Sequence, residues 1–356
     1  MATFTPLVEP SNVIVLPPNG FGVKMAWLMA QCCALTYAQY DLGPGQLPNF
    51  TSLTLGSGYK ITASNAVPFV TSEPAGPDSI PGDVGDYYPA AAGFGVSLSI
   101  APPVGPPNTI IVIALRGTRT WTEWLADAEA VPLGFDGALT YGAVHAGILG
   151  YYTMGLDGVT YGSNGWMAQP SYRPQGSLAA QIYAYMLRIP RQYNVYVTGH
   201  SLGGALASIC AYDLALNFQC PNSPNSNFCV SPSNLFMYNL ASPRVVMGGD
   251  VDQSTFFQVD VSIFLKKYQP LVPNSFRIVH ASDIIPILPE SSLSLGPIDL
   301  TSAHVTDAYQ GSNGLSANVV NFCAQTGDIS MNHACVLTYL PYVQWLATNS
   351  KSEMLE

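Results

Sequence analysis

The sequence predicts an α/β fold, with a mostly parallel central sheet, helices on both faces and an antiparallel N-terminal margin. Three observations carry this. Two short β-branched runs, 109–115 (TIIVIAL) and 194–198 (NVYVT), are bounded by turn residues, as expected of strands buried on both faces. Such runs alternate with helix-like stretches, which implies parallel strands joined by right-handed crossovers. Finally, 48% of the 356 residues are hydrophobic and only 10% are charged, a balance that excludes a disordered or coiled-coil chain and fills a large core.

Residues 1–20 read as extended and proline-rich, and 20–40 as a helix carrying Val23, Trp27, Met29, Cys33 and Leu35. The apolar run inside it, 25–38, contains Gln31 and falls short of the roughly 20 residues a membrane span requires, so it is a core helix. Dense Gly, Pro and Ser punctuation fills 41–109 around alternating runs at 59–62 and 95–100, which predict antiparallel strands. After the strand at 109–115 come a glycine-rich insertion at 155–176 and a helix at 177–189 stopped by Pro190. Beyond the strand at 194–198, a helix is predicted at 202–217, strands at 235–240 and 276–279, and a final amphipathic helix at 334–349. No period of 20 to 50 residues repeats, which removes solenoids and propellers.

Twelve Lys plus Arg against 22 Asp plus Glu leave a net charge of −10, with no basic cluster. Such a field argues against nucleic acid as a partner. Seven cysteines do not make a disulfide scaffold, yet Cys220 with Cys229 and Cys323 with Cys335 are spaced to close small loops, buried thiols being the alternative for each. Zinc spacings are absent, so no metal is expected. The chain opens without a basic-apolar-small leader.

Gly199-His200-Ser201-Leu202-Gly203 is a G-x-S-x-G pattern. Alone it is weak, but here it directly follows a strand and directly opens an apolar helix, the setting of a nucleophile elbow. A reactive serine requires a general base, and where the serine sits on such an elbow the acid and then the base follow it in the chain. That leaves His280, His304 and His333, since His145 and His200 come earlier. His280 and His304 fall within strand-like runs and read as structural; His333, after a loop and at the start of the last helix, is the expected base, with His304 the alternative. The acid must leave a core strand at the same sheet edge, which selects Asp283. Asp250, Asp252 and Asp260 lie in a polar segment without a core strand before it.

With these residues in place the chain resembles the class 3 lipases, the family of secreted fungal triacylglycerol lipases and feruloyl esterases. Five ordered blocks carry the likeness: Leu115-Arg116-Gly117-Thr118 with Trp124 and Asp127, Val144-His145-Ala146-Gly147, the elbow around Ser201, Ala241-Ser242-Pro243-Arg244-Val245, and 277–289 with Asp283. The resemblance implies an α/β-hydrolase fold in one domain over 1–356, with 1–109 as a helix and strand-rich margin and 110–345 as the lipase-like core. It implies the triad Ser201, Asp283 and His333, and an oxyanion hole from the backbone N–H groups of Leu202 and Thr118. It further implies a lid at 119–126, in which Trp121, Trp124 and Leu125 cover an acyl groove or face a lipid surface, ordinary core being the alternative. The block after Pro243-Arg244-Val245 departs from the family's usual Gly-Asn, reading Val246-Met247-Gly248-Gly249.

The expected activity is serine-dependent hydrolysis of medium- or long-chain acyl esters, triacylglycerols included, through an acyl-enzyme, with no cofactor and no metal. Expected partners are the ester or lipid substrate and transient contact with a lipid interface. The alternatives are a feruloyl esterase, an esterase of phospholipase A1 type, and a catalytically silent hydrolase fold that binds lipid. Export is the expectation for location.

Overall fold

A computed structural model describes residues 21–74, 87–117, 132–134, 142–153, 176–252, 257–289, 292–295, 298–308, 318–322 and 333–349. Its elements run in the order α1 (Val23–Leu42), β1 (Lys60–Pro74), β2 (Tyr87–Ala101), β3 (Asn108–Leu115), β4 (Pro132–Gly134), β5 (Ala143–His145), α2 (Ala146–Thr153), α3 (Leu178–Met186), β6 (Asn194–His200), α4 (Leu202–Asn217), β7 (Leu235–Leu240), β8 (Val246–Asp252), β9 (Phe257–Val259), α5 (Val261–Leu271), β10 (Asn274–His280), β11 (Ser292–Leu295), β12 (Ile298–Ala303), β13 (Val319–Phe322) and α6 (Leu340–Asn349).

Seven strands form the central sheet in the order β1-β2-β3-β6-β7-β10-β13. From β3 to β13 every pairing is parallel, whereas β1 and β2 join as the antiparallel margin. The period-two geometry of a strand divides β3 between two cores. Ile111, Ile113 and Leu115 face α2, α3 and α4, while Ile110, Val112 and Ala114 face α1 and α6. Helices therefore cover both faces. The two strands of the margin are longer than the alternating runs at 59–62 and 95–100 suggest, 15 residues each.

Helix α1 is buried all round over 25–30, where Met25, Ala26, Trp27, Leu28 and Met29 lie in the core with Cys32 and Cys33 beyond them, as expected of a stretch with no polar side chain to offer water. Gly43 ends it at φ 98°, a left-handed conformation that favours glycine. Helix α4 is more enclosed still: Leu216 alone in it is not buried. No helix among the described residues is long and apolar enough to cross a membrane.

A second, antiparallel sheet is ordered β11-β12-β8-β5-β4, with β9 against β8. The segment around Asp250, Asp252 and Asp260 is thus not simply polar: it supplies β8, β9 and the start of α5, where Asp260 caps the helix by accepting from Ser262 N at 2.8 Å. Glycine-bearing strands of three to seven residues carry too little apolar alternation to be seen in sequence.

Cys220 and Cys229 are bonded, closing the loop after α4. Asn225 inside that loop donates to the carbonyls of Met186 and Ile189 at 3.0 and 2.9 Å, anchoring it to the end of α3. The second expected bridge is corrected: Cys335 is a free, buried thiol turned toward α1, and Cys323 lies outside the described residues. The insertion at 155–176 is likewise outside them, apart from Gly176.

Candidate active site

The elbow sits at the carboxyl edge of the sheet, at the end of β6. Ser201 adopts φ 59° and ψ −131°, a conformation that strains any residue with a side chain. Two flanking glycines explain how the turn closes. A Cβ on Gly199 would lie 2.0 Å from the carbonyl oxygen of Gly203, and one on Gly203 would lie 2.2 Å from that of Leu115. Backbone atoms cannot yield to such contacts, so neither position accepts another residue without moving β6 or α4. The Ser201 N–H donates to the Leu240 carbonyl on β7 at 2.9 Å, tying the elbow to the neighbouring strand.

Leu202 opens α4, where first-turn N–H groups have no acceptor within the helix and the helix dipole favours negative charge. The other expected oxyanion donor, Thr118, lies outside the described residues, as do Trp121, Trp124 and Leu125 of the expected lid. The approach to Thr118 is described, and it is tightly held. Arg116 is buried, its Nε donates to the Ala91 carbonyl at 2.6 Å and its Nη1 to the Gly117 carbonyl at 2.6 Å, and its guanidinium covers the Tyr40 ring. Gly117 abuts the elbow: a Cβ there would meet the His200 carbonyl oxygen at 2.6 Å and Ser201 Cβ at 3.0 Å.

Asp283 leaves the end of β10 and is buried, with three hydrogen bonds on its carboxylate. Oδ1 accepts from the Ile285 N–H at 3.0 Å; Oδ2 accepts from His333 Nδ1 at 2.8 Å and from the Tyr339 hydroxyl at 2.6 Å. The acid and base expected from the sequence are therefore joined. His333 is 17% exposed, and its ring lies 4.7 Å from that of His200, the residue before Ser201.

The alternative base, His304, stands in different surroundings. His304 follows β12, is fully enclosed, and holds the Pro286 carbonyl through Nε2 at 2.8 Å. Burial, reinforced by the charges of Arg277 and Arg244, keeps its imidazole well below the usual range, so it is neutral and structural. His280 sits in β10 against Phe322, and His145 is buried in β5, where burial lowers its pKa to about 4.

Two residues around the site have no local signature in the sequence, Tyr37, whose hydroxyl lies 2.8 Å from His200 Nδ1, and Tyr339, while Arg116 belongs to a quoted block that gives no sign of its clamp on the strand end. The route to Tyr339 is unusual. In place of a regular helix after His333, residues Cys335–Tyr339 form a π turn, with Tyr339 N bonded to the Ala334 carbonyl at 3.3 Å. The wider turn brings the Tyr339 hydroxyl onto the same carboxylate as His333, and π turns are frequent at functional sites. Metal-ligating clusters are absent among the described residues.

Comparison with known proteins gives a consistent picture. The family model described as Lipase (class 3) matches residues 112–293, which takes in Ser201 and Asp283 and ends before His333. A lipase of Rhizomucor miehei is 28% identical over 249 residues, covering 69% of this chain and 54% of its own. Phospholipase A1-II 3 of Oryza sativa subsp. indica is 30% identical over 195 residues, covering 51% and 39%. A lipase of Caenorhabditis elegans is 37% identical over 99 residues, covering 28% and 21%. The chain thus spans between about a fifth and about half the length of these curated relatives. Among solved structures, the lipase of Rhizopus microsporus var. chinensis is 18% identical with a TM-score of 0.43, covering 88% of this chain and 90% of that one.

Proposed function

Because the chain belongs to the class 3 lipase family, we propose that it hydrolyses carboxylic esters through an acyl-serine intermediate, with Ser201 as nucleophile, His333 as general base and Asp283 as the acid that orients it. The observation that carries this reading is a strained elbow serine whose preceding residue, His200, packs on His333 of the hydrogen-bonded His333 and Asp283 pair.

His333 Nε2 takes the Ser201 hydroxyl proton as Oγ attacks the ester carbonyl, and the Asp283 carboxylate steadies the imidazolium that forms. The N–H of Leu202, with that of Thr118, stabilises the oxyanion. Collapse of the tetrahedral intermediate breaks the ester bond, and His333 returns the proton to the departing alcohol. Water then repeats the sequence on the acyl-serine, releasing the acid and restoring Ser201.

The substrates proposed are medium- and long-chain acyl esters, triacylglycerols included, met at a lipid interface. Support comes from the Rhizomucor miehei lipase and from the exposed apolar side chains Ile287, Val336 and Leu337 that follow Asp283 and His333 in the chain. A phospholipase A1 activity is the second reading, favoured by the rice relative. Hydrolysis of a dissolved p-nitrophenyl ester, lost in Ser201→Ala, tests the chemistry; absence of turnover in the unsubstituted protein would leave only a lipid-binding role. Release of fatty acid from trioctanoin and from phosphatidylcholine, compared at equal interface, separates the two substrate readings.

A further inference from the structure

We propose that Tyr37 and His200 are positioning residues for ester hydrolysis: the Tyr37 hydroxyl, donating to His200 Nδ1, fixes the ring on which the His333 imidazole rests. The inference deepens the reading of Ser201, His333 and Asp283 given above and rests on it.

The geometry is a chain of tilted and edge-to-face ring contacts that starts on α1 and ends at the base. Tyr37 Oη lies 2.8 Å from His200 Nδ1, with the two rings edge to face at 5.8 Å. His200 packs on His333 at 4.7 Å between centroids and on Tyr339 at 5.4 Å, so its ring touches both groups that contact Asp283 Oδ2. The same Tyr37 hydroxyl would lie 2.7 Å from a Cβ on Gly117, the residue before Thr118. One phenol thus buttresses the floor beneath the base and the strand end that leads to the proposed oxyanion donor.

Two features make Tyr37 the determinant of the His200 ring. His200 is buried, and the Tyr37 hydroxyl at its Nδ1 restrains the ring's orientation, with the His333 backbone as a second polar contact. Burial, with the Cys335 thiol nearby, pushes the Tyr37 phenol well above its ordinary range, so it keeps its proton and acts as donor. Burial and the His333 charge hold the His200 imidazole well below its usual range. A neutral His200 with its proton on Nε2 is the state this arrangement selects. That matters for the reaction, because an imidazolium must form transiently on His333, and a second positive ring at van der Waals distance would oppose it. The torsion that turns an imidazole about its own bond is soft, so a packed neighbour is needed to keep Nδ1 on Asp283 while Nε2 exchanges a proton with substrate.

The test combines kinetics with labelling. Tyr37→Phe is expected to lower kcat on a dissolved p-nitrophenyl ester by roughly ten- to a hundredfold through misplacement of the base, with KM held within about twofold. Labelling of Ser201 by a fluorophosphonate should slow by the same factor. If Tyr37 acts through His200, the double variant Tyr37→Phe with His200→Phe is no slower than His200→Phe alone. Unchanged kcat in Tyr37→Phe, or losses that simply multiply, would overturn the proposal. Should the variants fold poorly, ring-nitrogen NMR of the unsubstituted protein decides: His200 is expected neutral and protonated at Nε2, and protonation at Nδ1 overturns the proposal. An unsubstituted protein that neither hydrolyses esters nor takes the fluorophosphonate removes the catalytic reading itself. One that does both, beside an unaffected Tyr37→Phe, removes only this inference.

Discussion

The Tyr339 hydroxyl and His333 Nδ1 share a single carboxylate oxygen, Oδ2 of Asp283, at 2.6 and 2.8 Å. Tyr339 also accepts from the His280 N–H at 3.0 Å, so it joins the end of β10 to the carboxylate that follows it. Burial and the charge of Asp283 push its phenol well above the ordinary range, and it stays a donor throughout the working pH of the site.

Removing that hydroxyl takes one hydrogen bond from Asp283 Oδ2 and the Tyr339 acceptor from the His280 N–H. Tyr339→Phe is therefore expected to destabilise the fold by about 1–3 kcal/mol, the range for a buried group left unsatisfied. Proposed as a positioning residue for the acid, it should also lower kcat by roughly tenfold. Urea unfolding and initial rates on a dissolved ester read the two effects separately. Loss of stability at full kcat would make Tyr339 a purely structural group.

Ser201→Ala, His333→Ala and Asp283→Asn should each reduce kcat by roughly 10³-fold or more, and combining them should add little, because the three act as one unit. His304→Gln is the internal contrast. His304 is buried and holds the Pro286 carbonyl, so its replacement should move the unfolding midpoint while preserving kcat within about twofold. If His304→Gln abolished turnover and His333→Ala did not, the base would have been assigned to the wrong residue.

These assignments differ in how they can be read from the chain. Ser201 is legible because its signal is local: a buried strand, a tight turn flanked by glycines and an apolar helix follow one another without a gap. Asp283 is legible from its place just past a core strand, and His333 by elimination among few histidines. Tyr37 and Arg116 are not legible, because their roles consist of contacts between α1, β2, β3 and the elbow that no spacing encodes. Tyr339 is hidden for a different reason. A helical reading of 334–349 places it by the ordinary helical period, and only the π turn at Cys335–Tyr339 sets it on Asp283. The same local reading overvalued the spacing of Cys323 and Cys335. Cys335 belongs to the core shared with α1, where it packs as a small apolar side chain.

Buried neutral histidines make the fold sensitive to mild acid. His145 has its pKa lowered by burial from 6.5 to about 4, and His200 and His304 are held well below 6.5, burial being the first cause in each. The unfolded chain takes up these protons near 6.5 while the folded chain refuses them, so the stabilisation is complete above that pH and is lost as pH falls below it. Each such group contributes a slope of about 1.4 kcal/mol per pH unit in that window, or about 3 kcal/mol for His145 by pH 4. Urea midpoints measured between pH 7.5 and 5 should hold to about pH 6.5 and decline steadily below it. A midpoint constant over that interval would contradict the burial of neutral imidazoles.

The apolar side chains beside the triad carry the last prediction, that the protein works at an uncharged lipid interface. Ile287, Val336 and Leu337 are 55%, 51% and 57% exposed, and all lie within four residues of Asp283 or His333 in the chain. No Asp, Glu, Lys or Arg occurs from 329 to 350, so the stretch bearing His333 offers an interface no acidic or basic side chain of that kind. The net charge of −10 adds a long-range repulsion from anionic surfaces, which salt would screen. Burying two such side chains in lipid would stabilise the bound enzyme by about 2 kcal/mol, roughly thirtyfold in affinity. Ile287→Gln combined with Leu337→Gln should therefore weaken hydrolysis of emulsified trioctanoin severalfold or more at limiting interface, yet preserve kcat/KM for a dissolved short-chain ester within about twofold. Anionic lipid mixed into the droplets should slow the unsubstituted protein at low salt, and added salt should restore it. Equal losses on dissolved and emulsified substrate would mean that these side chains serve the acyl groove or the fold, and an interface role for this face would be wrong.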